Sequence, residues 1–290
     1  MAEHAIPVDL FNPGQVFACL GFLEAADALL GEAEGGFDWS DEADVRFVLR
    51  VDGEGNPFEA VLRFLAEARL SSVAPAGSRL ATDKWNVPTE ILSATEPFPF
   101  PIPPSPATLP VRLATNDATL VIDHWGDATD RDNVKFWAGS GGYPGAALAR
   151  DALDLVRSRM NDAVNDPFAL STPQSSSFRF DWRRDYIPMD VGFSPNEHGS
   201  LTMVGYPLVE ILAAVGLTDA RPKRVSKLEY CYSTIAPADG SGLIQPILLR
   251  SALGCTALPF PQRFFRMRLG WPGQEGQARC INDVVEETRS

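Results

Sequence analysis

The chain has 290 residues, of which 45% are hydrophobic, 10% aromatic and 22% charged. That composition is globular and excludes a disordered or fibrous chain. Its net charge of −13 excludes a surface that is basic throughout, the usual form of a protein whose main task is gripping a polyanion.

Taken in chain order, Asn12-Pro13 reads as a helix start, with Asn12 as N-cap and Pro13 at the first helical position, where a missing N–H costs nothing. Val16, Cys19, Leu20, Leu23 and Leu30 then recur at helical spacing up to Gly31. Residues 45–51 alternate as a strand, residues 52–56 form a turn, and residues 57–69 carry a second helical face (Phe58, Val61, Leu62, Leu65, Ala68). Seven of the fourteen residues from 97 to 110 are proline. Proline excludes both helix and interior strand, so the stretch predicts a stiff extended connector, with Phe98, Phe100 and Ile102 packing on the protein's own surface. Beyond it, residues 111–115 and 119–124 read as a hairpin around Asn116-Asp117, residues 145–164 and 207–217 as helices, and residues near 177–182, 227–235 and 263–271 as strands, with 279–286 closing the sheet. Strands mixed with helices, without regular βαβ alternation, predict an α+β fold. Its parts are a helix-led acidic N-terminal part (1–96), the Pro-rich connector (97–110), and a larger C-terminal part (111–290) holding a mixed or antiparallel sheet.

The opening Met1-Ala2-Glu3-His4 lacks the basic start and apolar core of an export signal. No apolar run reaches the roughly 18 to 20 residues of a membrane span. A cytoplasmic protein without a membrane partner is therefore expected. Cys19, Cys231, Cys255 and Cys280 form no C-x-x-C pair, and His4, His124 and His198 are scattered, so no metal or other cofactor is expected.

Charge is distributed unevenly. Residues 1–110 hold 6 Lys/Arg against 17 Asp/Glu, residues 111–177 hold 6 against 9, and residues 178–290 hold 13 against 12. Three basic clusters lie in the last third. In residues 175–184, Phe178, Phe180 and Trp182 would share one strand face, with Arg179 and Arg183 on the other and Arg184 following. In residues 221–227, Lys223, Arg224 and Lys227 join Arg221 on a loop. In residues 263–271, Arg263 leads a strand on which Arg266 and Arg268 share a face while Phe265, Met267 and Leu269 point to the core. Arginines along strands with aromatics nearby suit the tracking of a nucleic-acid backbone; the plainer alternative is a solvated sheet face paired with local acids such as Asp181 and Asp185. Gly139-Ser140-Gly141-Gly142, before the helix at 145 and just after Lys135, could place backbone N–H groups, with Lys135 and Ser140, on a phosphate. No Gly-Lys-Ser/Thr follows, so it is not a P-loop. No G-x-S-x-G elbow accompanies His124, and Asp123-His124 beside a strand end reads as structural.

Several of these stretches, taken together, resemble a family of CRISPR-associated subunits from subtype I-U (now I-G, "Dpsyc") systems. They are Ile6-Pro7-Val8-Asp9 with residues 12–24; Lys135-Phe136-Trp137-Ala138-Gly139; Ser177-Phe178-Arg179-Phe180-Asp181; Asp190-Val191-Gly192-Phe193-Ser194-Pro195; Tyr206-Pro207; Phe265-Arg266-Met267-Arg268; and residues 271–277. The resemblance spans most of the chain, and none of its motifs is catalytic. It implies a non-enzymatic, large-subunit-like component of an RNA-guided, Cascade-like surveillance complex in antiviral defence. The implied partners are other effector subunits, guide RNA and target DNA, and the helicase-nuclease. The acidic first third would then meet partner proteins while the last third approaches nucleic acid. Two other readings stay open: an enzyme binding a phosphorylated small molecule at Gly139–Gly142 beside Asp123 and His124, and a protein-only scaffold whose arginines meet acidic partners.

Overall fold

A computed structural model describes residues 1–98, 103, 105–125, 143–184, 203–238, 242–271 and 279–288. Its first helix begins where the sequence says it should. The Asn12 side chain accepts a hydrogen bond from the Gly14 N–H at 3.1 Å, Pro13 opens helix α1 (Pro13–Leu30), and Gly31 ends it in the left-handed region. Helix α2 (Pro57–Glu67) repeats the device, with Asn56 accepting from Phe58 at 2.9 Å.

Around these lie, among the described residues, three sheets of three or four strands and one two-stranded pair. Strands β1 (Ala2–Pro7), β2 (Glu34–Asp38) and β3 (Arg46–Val51) make an antiparallel sheet ordered β1-β3-β2. Strands β4 (Arg69–Ala74), β5 (Thr89–Ile91), β6 (Val111–Ala114) and β7 (Thr119–Ile122) form a second sheet ordered β5-β4-β6-β7, in which β4 and β5 run parallel and the other pairs antiparallel. This sheet takes strands from both sides of the proline segment, and one continuous cluster of buried side chains also draws from both sides. Helix α3 (Gly145–Val156) tightens into a 3-10 stretch at Arg157–Ala163, so the helix expected over 145–164 keeps its span but not one geometry. A short pair, β8 (Thr172–Pro173) and β9 (Val204–Gly205), precedes helix α4 (Pro207–Asp219). The third sheet, antiparallel throughout, is ordered β10-β11-β12-β13 from β10 (Lys223–Ser226), β11 (Glu229–Ile235), β12 (Gln262–Gly270) and β13 (Cys280–Glu287); helix α5 (Pro246–Leu253) links β11 to β12. The α+β class expected from the sequence is the architecture observed.

The interior is built on the crossing of α1 and α4. Residues 13–26 of α1 and 207–217 of α4 are all buried. Where they cross, a Cβ added at Gly21 would lie 1.9 Å from the Leu212 carbonyl oxygen, and one added at Gly216 would lie 2.3 Å from that of Phe17. Two backbones can approach that closely only where neither helix carries a side chain. Contrary to the expectation that no apolar run reaches membrane length, α1 is 18 residues long with mean hydropathy 1.2; 78% of it is buried, as befits a core helix.

The strand expected over 177–182 does not form. Arg179 adopts a φ of +66°, in the left-handed region that breaks strand alternation, and the segment runs into a 3-10 turn at Trp182–Arg184. Phe178 and Phe180 both turn inward and stack at 5.6 Å, and Phe178 stacks on Trp125 at 5.7 Å. Residues 221–227, expected to be a loop, contain β10.

Candidate nucleic-acid interface

The chain leaves α4 through Ala220, Arg221 and Pro222 and enters β10, the outer strand of the third sheet. Lys223 lies opposite Cys231 and Arg224 opposite Tyr230; the register then slips, leaving Val225 as a bulge before Ser226 pairs with Glu229. Lys223, Val225, Ser226 and Lys227 are exposed, and Arg224 is half-buried. The turn into β11 is fixed locally: Ser226 Oγ accepts the Leu228 N–H at 3.3 Å, and Arg224 Nε donates to the Ser226 carbonyl at 3.3 Å.

These residues and Gly254 line a cleft of about 730 Å³. Arg221, Lys223, Arg224 and Lys227 all border it, and among the described residues no carboxylate does. Among the described residues, neither Lys223 nor Lys227 lies within ion-pair distance of an acid. At one end the Lys227 ammonium sits 5.6 Å from the centroid of the Trp271 ring, and Arg279 Nη1 donates to the Lys227 carbonyl at 2.9 Å. Concentrated positive charge at an exposed sheet edge, with an aromatic ring alongside, can bind phosphates electrostatically.

The arginines of β12 stand differently. Phe265, Met267 and Leu269 are buried, and Arg266 and Arg268 face the other way, as the alternation predicted, while Arg263 lies on the Phe265 side, 5.7 Å from that ring. However, each is met by acids on the neighbouring strands. Arg263 Nη2 is 2.7 Å from Glu286, whose carboxyl is held below its ordinary range chiefly by that hydrogen bond. Arg266 bonds Glu287 at 2.5 Å and approaches Glu229 at 3.8 Å. Arg268 lies 3.4 Å from Glu229 and 3.8 Å from Asp283. This row is a cross-strand charge ladder.

The cluster at 179–184 is drawn into contacts within the fold, with Arg184 buried and Arg179 and Arg183 half-buried. Arg183 grips the buried Asp181 through Nε at 2.9 Å and Nη2 at 2.6 Å, donates to the Phe168 carbonyl at 2.9 Å and stacks 3.4 Å from the Tyr206 ring centroid. Arg184 is buried and donates to the Gln174 and Ser175 carbonyls at 3.3 Å. Arg179 is half-buried, its N–H on Ser177 Oγ at 2.8 Å. The expected ladder of Arg179 and Arg183 opposite an aromatic face is thus replaced by a clamp around Asp181. Asp181 also accepts from Asn12 Nδ2 at 3.0 Å, which ties it to the cap of α1. Glu210, fully buried in the first turn of α4, accepts the Asp181 N–H at 3.1 Å, and burial pushes its carboxyl up to about 7.

His124 is buried, with Nδ1 3.2 Å from the Ala214 carbonyl and its ring 4.8 Å from Trp125 and 5.7 Å from Phe180. Lys135, Ser140 and the rest of the Gly139–Gly142 turn lie outside the described residues, as do Asp185, His198 and the 190–195 motif. Among the described residues no group of three or more His, Cys, Asp or Glu side chains is placed to hold a metal ion. Sequence reasoning overlooked Trp271 and Arg279 as neighbours of the 221–227 cluster; they reach it through the pairing of β11 with β12 and β12 with β13. The signal that was available is four cations within seven residues, with no acid among them.

No protein-family profile, curated protein or solved structure matches this chain.

Proposed function

We propose that the chain is a non-catalytic subunit of an RNA-guided CRISPR surveillance complex of the I-U/I-G type, one that contacts nucleic acid through the Arg221–Lys227 cleft. The observation that carries the reading is the cleft itself, with four cations along it and an edge strand to present them. The resemblance of the motifs at 6–24, 177–181 and 265–277 supplies the class of complex. The acidity of residues 1–110 leaves that part suited to basic surfaces of partner proteins in a cytoplasmic assembly, with the helicase-nuclease among its later partners.

The test is affinity purification of the tagged chain from its native cells, with mass spectrometry of the partners and sequencing of the bound nucleic acid. The expected result is recovery of CRISPR backbone subunits and a repeat-derived guide RNA. The paired change Lys223→Glu and Arg224→Glu should leave those protein partners in place while reducing oligonucleotide affinity of the purified chain by about tenfold or more at low salt. It should also flatten the log–log salt dependence by about 1.4, or about 0.7 for each single-strand phosphate that the protein no longer neutralises. A monomer carrying neither partner nor RNA would overturn the proposal.

A further inference from the structure

Resting on that reading, we infer that the Arg221–Lys227 cleft takes one nucleotide unit, with adjacent phosphates on Arg221, Lys223 and Arg224 and the base against Trp271. Three observations carry this. The first is reach. Strand β10 has four residues and is therefore about 13 Å long. A duplex turn measures about 34 Å, so cations confined to so short a strand cannot follow a groove; they can neutralise a few successive phosphates. The second is volume. The cleft is open to solvent and offers about 730 Å³, room for a compact ligand lying along it rather than one enclosed by it. The third is the aromatic partner. Trp271 is half-buried, stands 5.6 Å from the Lys227 ammonium, and takes part in no other ring contact among the described residues. A ring beside a phosphate site can serve as a stacking platform for a base. Lys227 joins the two halves of the site, since it borders the cleft and faces the ring. The ligand chemistry is a run of adjacent phosphates attached to a base, which either a phosphorylated strand end or a free nucleoside triphosphate would present.

The experiment titrates the intact chain at about 50 mM salt with four probes: ATP, inorganic tripolyphosphate, a short 5′-triphosphorylated oligoribonucleotide and the same oligonucleotide with a 5′-hydroxyl. The expected result is tighter binding of ATP than of tripolyphosphate. Trp271→Ala should weaken ATP by about tenfold, within the range of base–aromatic stacking, and leave tripolyphosphate unchanged; Trp271→Phe should restore most of that affinity. Preference for the triphosphorylated oligonucleotide over ATP identifies a strand end as the source, and the reverse identifies the free nucleotide. Equal affinity for ATP and tripolyphosphate, or an equal weakening of both in Trp271→Ala, would overturn the nucleotide unit while oligonucleotide binding kept the nucleic-acid reading standing. Binding of ATP with no affinity for either oligonucleotide would overturn the polynucleotide reading and leave the nucleotide site.

Discussion

The crossing of α1 and α4 and the outer edge of the third sheet obey opposite rules. At the crossing, what matters is what the residues omit: Gly21 and Gly216 carry no Cβ, and two buried backbones meet at distances a side chain would forbid. At β10 the residues matter for what they add, namely positive charge around a cleft that, among the described residues, no carboxylate lines. The first region, being buried, tolerates neither added volume nor an unpaired charge. The second is surrounded by solvent, tolerant of volume, and sensitive to the sign of one or two side chains. A change inside should therefore remove fold and binding together, whereas a change at the edge should separate them.

The largest effect is expected at the crossing. Gly21→Ala brings a methyl group within 1.9 Å of the Leu212 carbonyl oxygen. Alanine in place of glycine favours a helix by about 1 kcal/mol, but the obstacle is backbone, and parting two packed helices costs about 3 kcal/mol. The net sign is destabilising, read as a lower denaturation midpoint with loss of binding only above it. Near-native stability would mean that the two helices can slide apart, and the contrast between interior and edge would lose its first half.

An effect of similar size is expected at Glu210. Its carboxyl is raised by burial to about 7 from an ordinary 4.5, so the native state keeps a proton that the unfolded chain gives up near 4.5. The stabilisation is complete below pH 4.5 and is lost as pH rises from there through 7, by up to about 3 kcal/mol. Glu210→Gln removes the proton and its pH dependence together. Relative to the parent chain, the variant should gain stability steadily between pH 4.5 and 7 and stay level beyond. Parallel stability curves for the two proteins across that range would show that Glu210 ionises freely in the fold.

What could be read from the sequence follows from how local each cause is. The starts of α1 and α2 were legible because an asparagine cap and a following proline act within three residues. The inward set Phe265, Met267 and Leu269 was legible because a strand alternates strictly. Residues 177–182 alternate just as well, yet they form no strand. Arg179 turns into the left-handed region, and Asp181, gripped locally by Arg183, is also claimed by Asn12 and Glu210, contacts that join distant parts of the chain. Strand β10 was hidden for the converse reason. Pro222 and the crowded charges depress strand propensity, and only the ladder with β11 makes the segment a strand. The same non-locality conceals the approach of Trp271 to Lys227, which depends on how β11 and β12 register.

The smallest effect sharpens the comparison most, because it concerns cations of the same sheet. Arg266 and Arg268 were natural candidates for a nucleic-acid contact, but Glu229, Asp283 and Glu287 already answer their charge. A phosphate arriving there would have to displace a carboxylate, exchanging one ion pair for another with little gain. Reversing both to glutamate should therefore leave the affinity for a short single-stranded oligonucleotide, and its salt slope, close to those of the parent chain. Stability should fall slightly at low salt, as like charges face one another across the strands, and recover as salt screens them. A loss of affinity as large as that of Lys223→Glu with Arg224→Glu would mean that the ladder opens to admit the ligand, and that the binding surface extends across the sheet from β10 to β12.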